Sequence, residues 1–477
     1  MQLDTSTLPL TAHSADLIAV GRRPDGSFTA ELGVLEAPLT AALAQAKHRG
    51  DVAELSLWPT LGLVSAAQVA IVGVGDASPD ALRRAAGAIG HAARGAGADA
   101  VALALGALDA VSEVAVLEGF NAGKYRYNEH LSGPQTAEPS RLTLVSDPAL
   151  ELAGALPFAQ AIDAGQSLAR DLVNAPAAVI FPESLAAVAM GLVAEGIEVE
   201  VWDEQKIRAE GMGGITAVGQ GSSRPPRFIH MTYRPAGAPR KKLGIIGKGV
   251  TFDAGGLSIK TADGMMTMRC DMAGSAAVIG VMKAIAALKP DVEVHGIIGA
   301  AENMLGGDAY KLGDVLRMHN GKTVEIHNTD AEGRLVLGDC LSYASALGLD
   351  AMVDIATLTG ACVVALGDLY SALFSHDNSV ADGILASAQQ SGELVWRMPL
   401  EVAYKERLKT DFADLKNVGG PPGGSITAAL FLSEFVGSTP WAHLDIAGPA
   451  FFAKKTRHFV SGGTGCMVPT LTRWILA

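Results

Sequence analysis

Short apolar runs alternate along this chain with Ala-rich stretches of helical spacing. In the first 160 or so residues the runs ADLIAVGR, AQVAIVGVG, ADAVALALGAL and RLTLVS read as strands, and ALRRAAGAIGHAARGAG reads as a helix. That βαβ rhythm predicts a mostly parallel sheet. VGVGDAS, the one glycine pattern here, reads as a strand-end turn, because a bare glycine motif is a weak nucleotide signal. A long amphipathic stretch, FAQAIDAGQSLARDLVNAPA, runs as a helix toward Asn174 and Pro176. Beyond it SLAAVAMGLVAEG predicts a helix, and IEVEVWD, RFIHMTY, KLGIIGKG, VEVHGIIGAAEN, VEIHNTD, AMVDIATL and WAHLDIAG predict strands. Near-continuous apolar strands alternating with helices imply a sheet covered on both faces, with ligands gathered at the carboxyl ends of strands.

Length and composition narrow the class. A chain of 477 residues, 49% hydrophobic and with 55 glycines, has more than one core to build. The net charge of −13 argues against a surface made for nucleic acid, since phosphate binding needs clustered cations. The basic runs Arg240 to Lys242 and Lys454 to Arg457 read as solvated turns. The start, MQLDTSTLPL, has no basic region or apolar core of a secretory signal. The runs near Val101–Leu108 and Ile355–Gly367 are too short for a bilayer. Four cysteines without close-pair spacing point to a reduced, cytoplasmic protein with no membrane partner.

The candidate chemistry is concentrated in two stretches. Lys248, Asp253, Lys260 and Asp271 lie within KGVTFDAGGLSIKTADGMMTMRCD, and Asp330, Glu332 and Arg334 lie within NTDAEGRL. In the first, a buried strand leads through Gly255 and Gly256 into a loop, and AGSAAVIGVMKAIAAL then forms a helix stopped at Lys289-Pro290. Asp271 by itself reads as an N-cap of that helix. In the second, an extended backbone would send residues i, i+2 and i+4 to one face, converging Asp330, Glu332 and Arg334 before a helix that runs to Gly348. Carboxylates gathered without cations would repel by roughly 4 kcal/mol per pair at 4 Å and an effective dielectric near 20. Two divalent metals would cancel the charge of Asp253, Asp271, Asp330 and Glu332, and oxygen ligands suit Mg²⁺, Mn²⁺ or Zn²⁺. A two-metal site of this kind activates a bridging water and clamps a carbonyl, which is hydrolytic chemistry.

The two stretches resemble the signature of the leucyl (cytosol) aminopeptidase family of dinuclear metallo-exopeptidases, and NTDAEGRL is that signature unchanged. The resemblance implies an α/β protein of two domains: a smaller, macro-like and non-catalytic N-terminal domain, residues 1–160, and a larger catalytic domain, 161–477, with a central mixed β-sheet covered by helices on both faces. It implies that Asp253 and Glu332 bridge two metals, that Asp330 serves one, and that Lys248 and Asp271 serve the other. An ammonium has no lone pair, so Lys248 could ligate only with a strongly lowered pKa. Lys260 would polarise the scissile carbonyl and Arg334 would hold a bicarbonate that relays a proton from the metal-bridging water. Met268, Thr357, Gly360 and Ala447 match the first side-chain pocket. The implied metals are Mn or Zn, with Mg or Co as further options. The implied substrates are peptides with neutral, leucine- or methionine-like N-terminal residues, and the implied assembly is a homohexamer, a dimer of trimers. Ala254, Ser275 and Pro469 depart from the family's usual residues without removing a ligand.

Two other classes are open from residues alone. Ser258 and Lys260 could form a serine-lysine amidohydrolase pair. A non-catalytic DNA-binding regulator on the same fold is the second, and the acidic balance weighs against it. His327, three residues before Asp330, could support the cluster from behind.

Overall fold

The computed structural model describes residues 1–133, 135–146 and 154–477. The chain divides into two compact units: Met1–Asp163 with Ala453–Ser461, and Ala164–Phe452 with Gly462–Ala477.

In the first unit the strands are β1 (Gln2–Ser6), β2 (Leu17–Arg22), β3 (Leu55–Pro59), β4 (Gln68–Gly73), β5 (Ala100–Ala104) and β6 (Arg141–Val145). They form one sheet in the order β1-β6-β5-β2-β4-β3, parallel throughout except where β3 pairs antiparallel with β4. The predicted helix spans Pro79–Gly95, started by Ser78 as N-cap with Pro79 in the first turn. Apolar side chains pack against both faces of this sheet. Ala453–Ser461 belongs to this unit through contacts such as Arg457 with Asp80, 2.7 Å.

The second unit carries β7 (Glu198–Trp202), β8 (Arg227–Tyr233), β9 (Lys242–Asp253), β10 (Glu293–Asn303), β11 (Val315–Arg317), β12 (Thr323–Glu325), β13 (Ala351–Ala356), β14 (Ser371–Phe374), β15 (Val395–Arg397), β16 (Leu415–Lys416) and β17 (Trp441–Asp445). Eight of them form a mixed sheet in the order β15-β14-β17-β13-β9-β10-β8-β7. The central strands β17, β13, β9 and β10 are mutually parallel, β14 pairs antiparallel with β17 and parallel with the edge strand β15, and β10, β8 and β7 pair antiparallel in turn. The expected strand VEIHNTD does not join this sheet. Only its first two residues, Val324 and Glu325, are strand, and they pair instead with β11 and β16 in a separate three-stranded sheet, which the apolar pattern alone could not distinguish.

The helix Ala273–Leu288 ends as expected: Lys289 takes a left-handed conformation before Pro290. With the turns that precede it, Ala262–Leu288 is long and apolar enough to cross a bilayer, but 83% of its most apolar window is buried inside the protein. It is a core element. The two central strands differ in length in a way that makes the site. β9 and β13 run parallel with Gly247 opposite Ile355, so β13 stops near the level of Lys248 while β9 continues to Asp253 beside β10.

Candidate active site

Three elements bring the charged residues together at the carboxyl end of this sheet. β9 supplies Lys248 and Asp253, each 3% exposed. The loop after it turns at Gly255 and Gly256, whose φ values are +86° and +60°. A Cβ on Gly255 would lie 2.5 Å from Ser258 O and 2.9 Å from Asp330 Oδ1, so this turn has room for glycine only. Lys260 follows. Asp271 lies in a short 3₁₀ turn, Met268–Met272, before the apolar helix. Asp330 and Glu332 sit in the turn ahead of the helix Gly333–Ser345.

Two expectations need correcting here. Asp271 is not a cap: Met272 occupies the N-cap position, and Asp271 Oδ1 accepts from Lys248 Nζ and Thr357 Oγ1, each at 2.8 Å. NTDAEGRL is not extended through Arg334. Glu332 has helical backbone angles and Arg334 is already inside the helix, so a turn gathers Asp330 and Glu332 while Arg334 Nη1 reaches Asn417 O at 2.8 Å.

The charges interlock around two ammonium groups. Lys248 Nζ lies 2.8 Å from Asp271 Oδ1, 2.9 Å from Glu332 Oε1 and 2.9 Å from Thr357 O. Lys260 Nζ bridges Asp253 Oδ2, at 2.8 Å, and Asp330 Oδ1. Asp253, Asp330 and Glu332 each offer one oxygen within 4.8 Å of the others, a grouping able to hold a metal ion. Asp271 Oδ2 is buried without a partner.

The electrostatics follow from burial and crowding. Burial, then the neighbouring Glu332, pushes the Asp253 carboxyl up to about 6. Burial raises Asp271 and Asp330 as well. For Glu332 burial also acts upward, but the Lys248 ammonium outweighs it and the net shift is down. Burial works to lower Lys248, yet Asp271, Glu332 and Asp253 together raise it. The lowered pKa that ligation would demand of this lysine is therefore not produced by its protein neighbours. Arg334 is drawn down to about 10 by burial, against Glu332 and Asp445, and its Nε has no partner.

Of the expected pocket residues, Thr357 is joined to the cluster through Lys248 and Asp271. Met268 opens the turn that carries Asp271. Gly360 begins the helix Gly360–Leu366, and Asp445 ties the residues before it to Ala447, accepting from Leu358 N, Thr359 N and Ala447 N. Asp445, Asn417, Asn303 and Tyr310 all support the site and were missed, since each sits alone at a strand end or in a loop with nothing in its spacing to mark it. His327 turns away to Glu325, 3.1 Å, and its side chain is 41% exposed. Lys260 contacts carboxylates while Ser258 Oγ accepts from Thr329 N, so the two do not form a nucleophile-base pair.

Comparison with known proteins agrees with this geometry. Residues 167–472 match the model of the cytosol aminopeptidase family, catalytic domain, and residues 25–134 match that of the same family's N-terminal domain. The chain belongs to the cytosol aminopeptidase family. It is thus a metallo-aminopeptidase, a peptide hydrolase of a dinuclear, metal-dependent family. A probable cytosol aminopeptidase of a Cyanothece species is 43% identical, with all of both chains covered. One from Acaryochloris marina is 43% identical over 97% of each. Among solved structures of this fold, a tomato leucine aminopeptidase mutant superposes with a TM-score of 0.90 at 32% identity, covering 100% of this chain and 96% of that one. The bottromycin maturation enzyme BotP, solved in complex with Mn, gives 0.87 at 35% identity, covering 97% and 99%.

Proposed function

We propose that this cytosol aminopeptidase removes neutral, leucine- or methionine-like residues from peptide amino termini, using two divalent ions, Mn or Zn, held by Lys248, Asp253, Asp271, Asp330 and Glu332. The observation that carries the reading is the pairing of four carboxylates around two points of positive charge, Lys248 Nζ and Lys260 Nζ. Two ammonium groups leave four carboxylates short of positive charge, and Asp271 Oδ2 is an acceptor still to be satisfied. Such an oxygen-rich donor set fits hard or borderline dications. Divalent ions there would supply Lewis acidity and a water acidic enough to attack at neutral pH.

Asp253 and Glu332 would be shared by both ions, Asp330 would serve one, and Lys248 with Asp271 the other. For Lys248 this requires that the field of nearby dications replace that of the carboxylates, so that its amine gives up a proton. Lys260 would swing its ammonium from Asp253 and Asp330 to the scissile carbonyl oxygen and donate to the oxyanion as charge grows there. Arg334, buried and with Nε unpartnered, offers its donors to a bicarbonate, an ion suited to proton transfer. Met268, Thr357, Gly360 and Ala447 carry no charge, which suits a neutral side chain in the first pocket. The same reading makes residues 161–477 the catalytic domain and 1–160 a non-catalytic one, in a cytoplasmic homohexamer with no nucleic-acid or membrane partner.

The test is a steady-state assay on amino-acid anilides with metal returned to the stripped enzyme, comparing wild type with Asp330→Asn and Glu332→Gln. Both variants should lose metal stoichiometry and rate together. Full activity in either one, or an undiminished wild-type rate after chelation, would reject the assignment.

A further inference from the structure

We infer that Asn303 is a positioning residue of this site, whose carboxamide NH₂ fixes the orientation of Asp253 and the path of the chain into Asp330 at the same time; the inference rests on the metal-ligand reading proposed above. Asn303 ends β10 directly beside Asp253 at the end of β9, after a register shift between Ala301 and Glu302. The side chain is fully buried. Its Nδ2 donates to Asp253 Oδ1 at 2.8 Å and to Thr329 O at 3.0 Å, so both hydrogens are committed. Both contacts are acceptors without a proton to give, which requires the nitrogen, and not the oxygen, of the amide to face them.

The consequence for Asp253 is a division of labour between its oxygens. Oδ1 takes the Asn303 donor and the Gly255 N–H, also at 2.8 Å. Oδ2 is the oxygen presented to positive charge, 2.8 Å from Lys260 Nζ. The consequence for Asp330 comes through the residue before it. Thr329 O is held by Asn303 and by Tyr310 Oη, 2.8 Å, while Thr329 Oγ1 donates to Gly255 O and accepts from Ser258 N, each at 2.7 Å. One amide therefore joins the loop after Asp253 to the turn bearing Asp330 and Glu332. Asn303 Oδ1 is left buried with no partner, an uncompensated polar group that accompanies keeping the NH₂ aimed at Asp253 and Thr329.

No other side chain of this size places two donors on one planar nitrogen. Aspartate has the shape but no donor, and it would set a further negative charge against Asp253. Alanine leaves Asp253 Oδ1 with Gly255 alone.

Calorimetric titration of the metal-stripped full-length chain with Mn²⁺ tests this in wild type, Asn303→Ala and Asn303→Asp, alongside thermal melts of the stripped proteins and kcat and KM at limiting and saturating Mn²⁺. The expected result is roughly 10–100-fold weaker Mn²⁺ binding in the alanine variant, the range found when groups supporting metal ligands are removed. Aspartate should be weaker still. KM should stay near wild type, and the alanine variant should regain much of its kcat as Mn²⁺ is raised. Wild-type affinity in both variants would overturn the inference while leaving the metal reading intact. Failure of the wild type itself to take up Mn²⁺ while cleaving at full rate would overturn the reading beneath it. Should Asn303→Ala not fold, Tyr310→Phe carries the test by removing the second donor on Thr329 O: several-fold weaker Mn²⁺ binding supports the inference and unchanged binding overturns it.

Discussion

Lys260 occupies a position between holding charge and lending it. Its side chain is 18% exposed, where the other lysine of the cluster, Lys248, is 3% exposed. Burial works to lower its pKa, but Asp253 and Asp330 outweigh that and keep it firmly protonated. A protonated, partly accessible ammonium on the glycine-turned loop can leave its carboxylates for a substrate oxygen; a walled-in one cannot. Lys260→Ala should therefore reduce kcat by roughly 10²–10³, the usual cost of losing one oxyanion donor, with a much smaller change in KM. Steady-state kinetics at saturating metal checks this, and a variant that raised KM alone would show that Lys260 only binds. The ligand candidates were legible because charged residues stand out in otherwise apolar stretches of sequence. Asn303 was not legible, because an amide at the end of an apolar strand looks the same whether it faces water or a carboxylate.

At the scale of elements, most strands and the long helices follow the apolar rhythm, because burial is what both record. What the rhythm could not give was local path. The turn at Glu332 and the separate sheet of Thr323–Glu325 depend on hydrogen bonds such as those from Asn417 Nδ2 to Asn328 O and Ala331 O. A pH effect also belongs to this scale, where β8 pairs with β10. His230 on β8 bonds His295 on β10 at 2.9 Å and the Tyr343 hydroxyl of the helix Gly333–Ser345 at 3.1 Å, and His295 passes the chain on to Glu293. Burial, then the His295 ring, with Arg234 adding and Glu200 on β7 opposing, pulls His230 down to about 4 from an ordinary 6.5. Between those values the folded chain binds fewer protons than the unfolded one, so stability is present above pH 6.5 and is lost as pH falls toward 4, by about 2–3 kcal/mol in all. Thermal melts at pH 7.5 and pH 5 should show a larger drop for wild type than for His230→Gln. Equal drops would remove His230 as the source.

For the whole molecule, the apolar stretch Ala262–Leu288, the one of membrane length among the described residues, is mostly buried and serves as core. The hexamer proposed from family resemblance has a direct test: light scattering should give the mass of six chains of 49.1 kDa, about 295 kDa for a closed homo-oligomer. The mass of one chain would count against it. Here too the sequence was readable only in part, because pairing between distant segments leaves no periodic trace. Ala453–Ser461 is such a case, lying late in the chain yet closing contacts with the Pro79–Gly95 helix near its beginning. During synthesis the first unit must therefore wait, with that patch of helix uncovered, until nearly the last residues leave the ribosome; a fragment ending before residue 453 would be born with this surface exposed and nothing of its own to shield it.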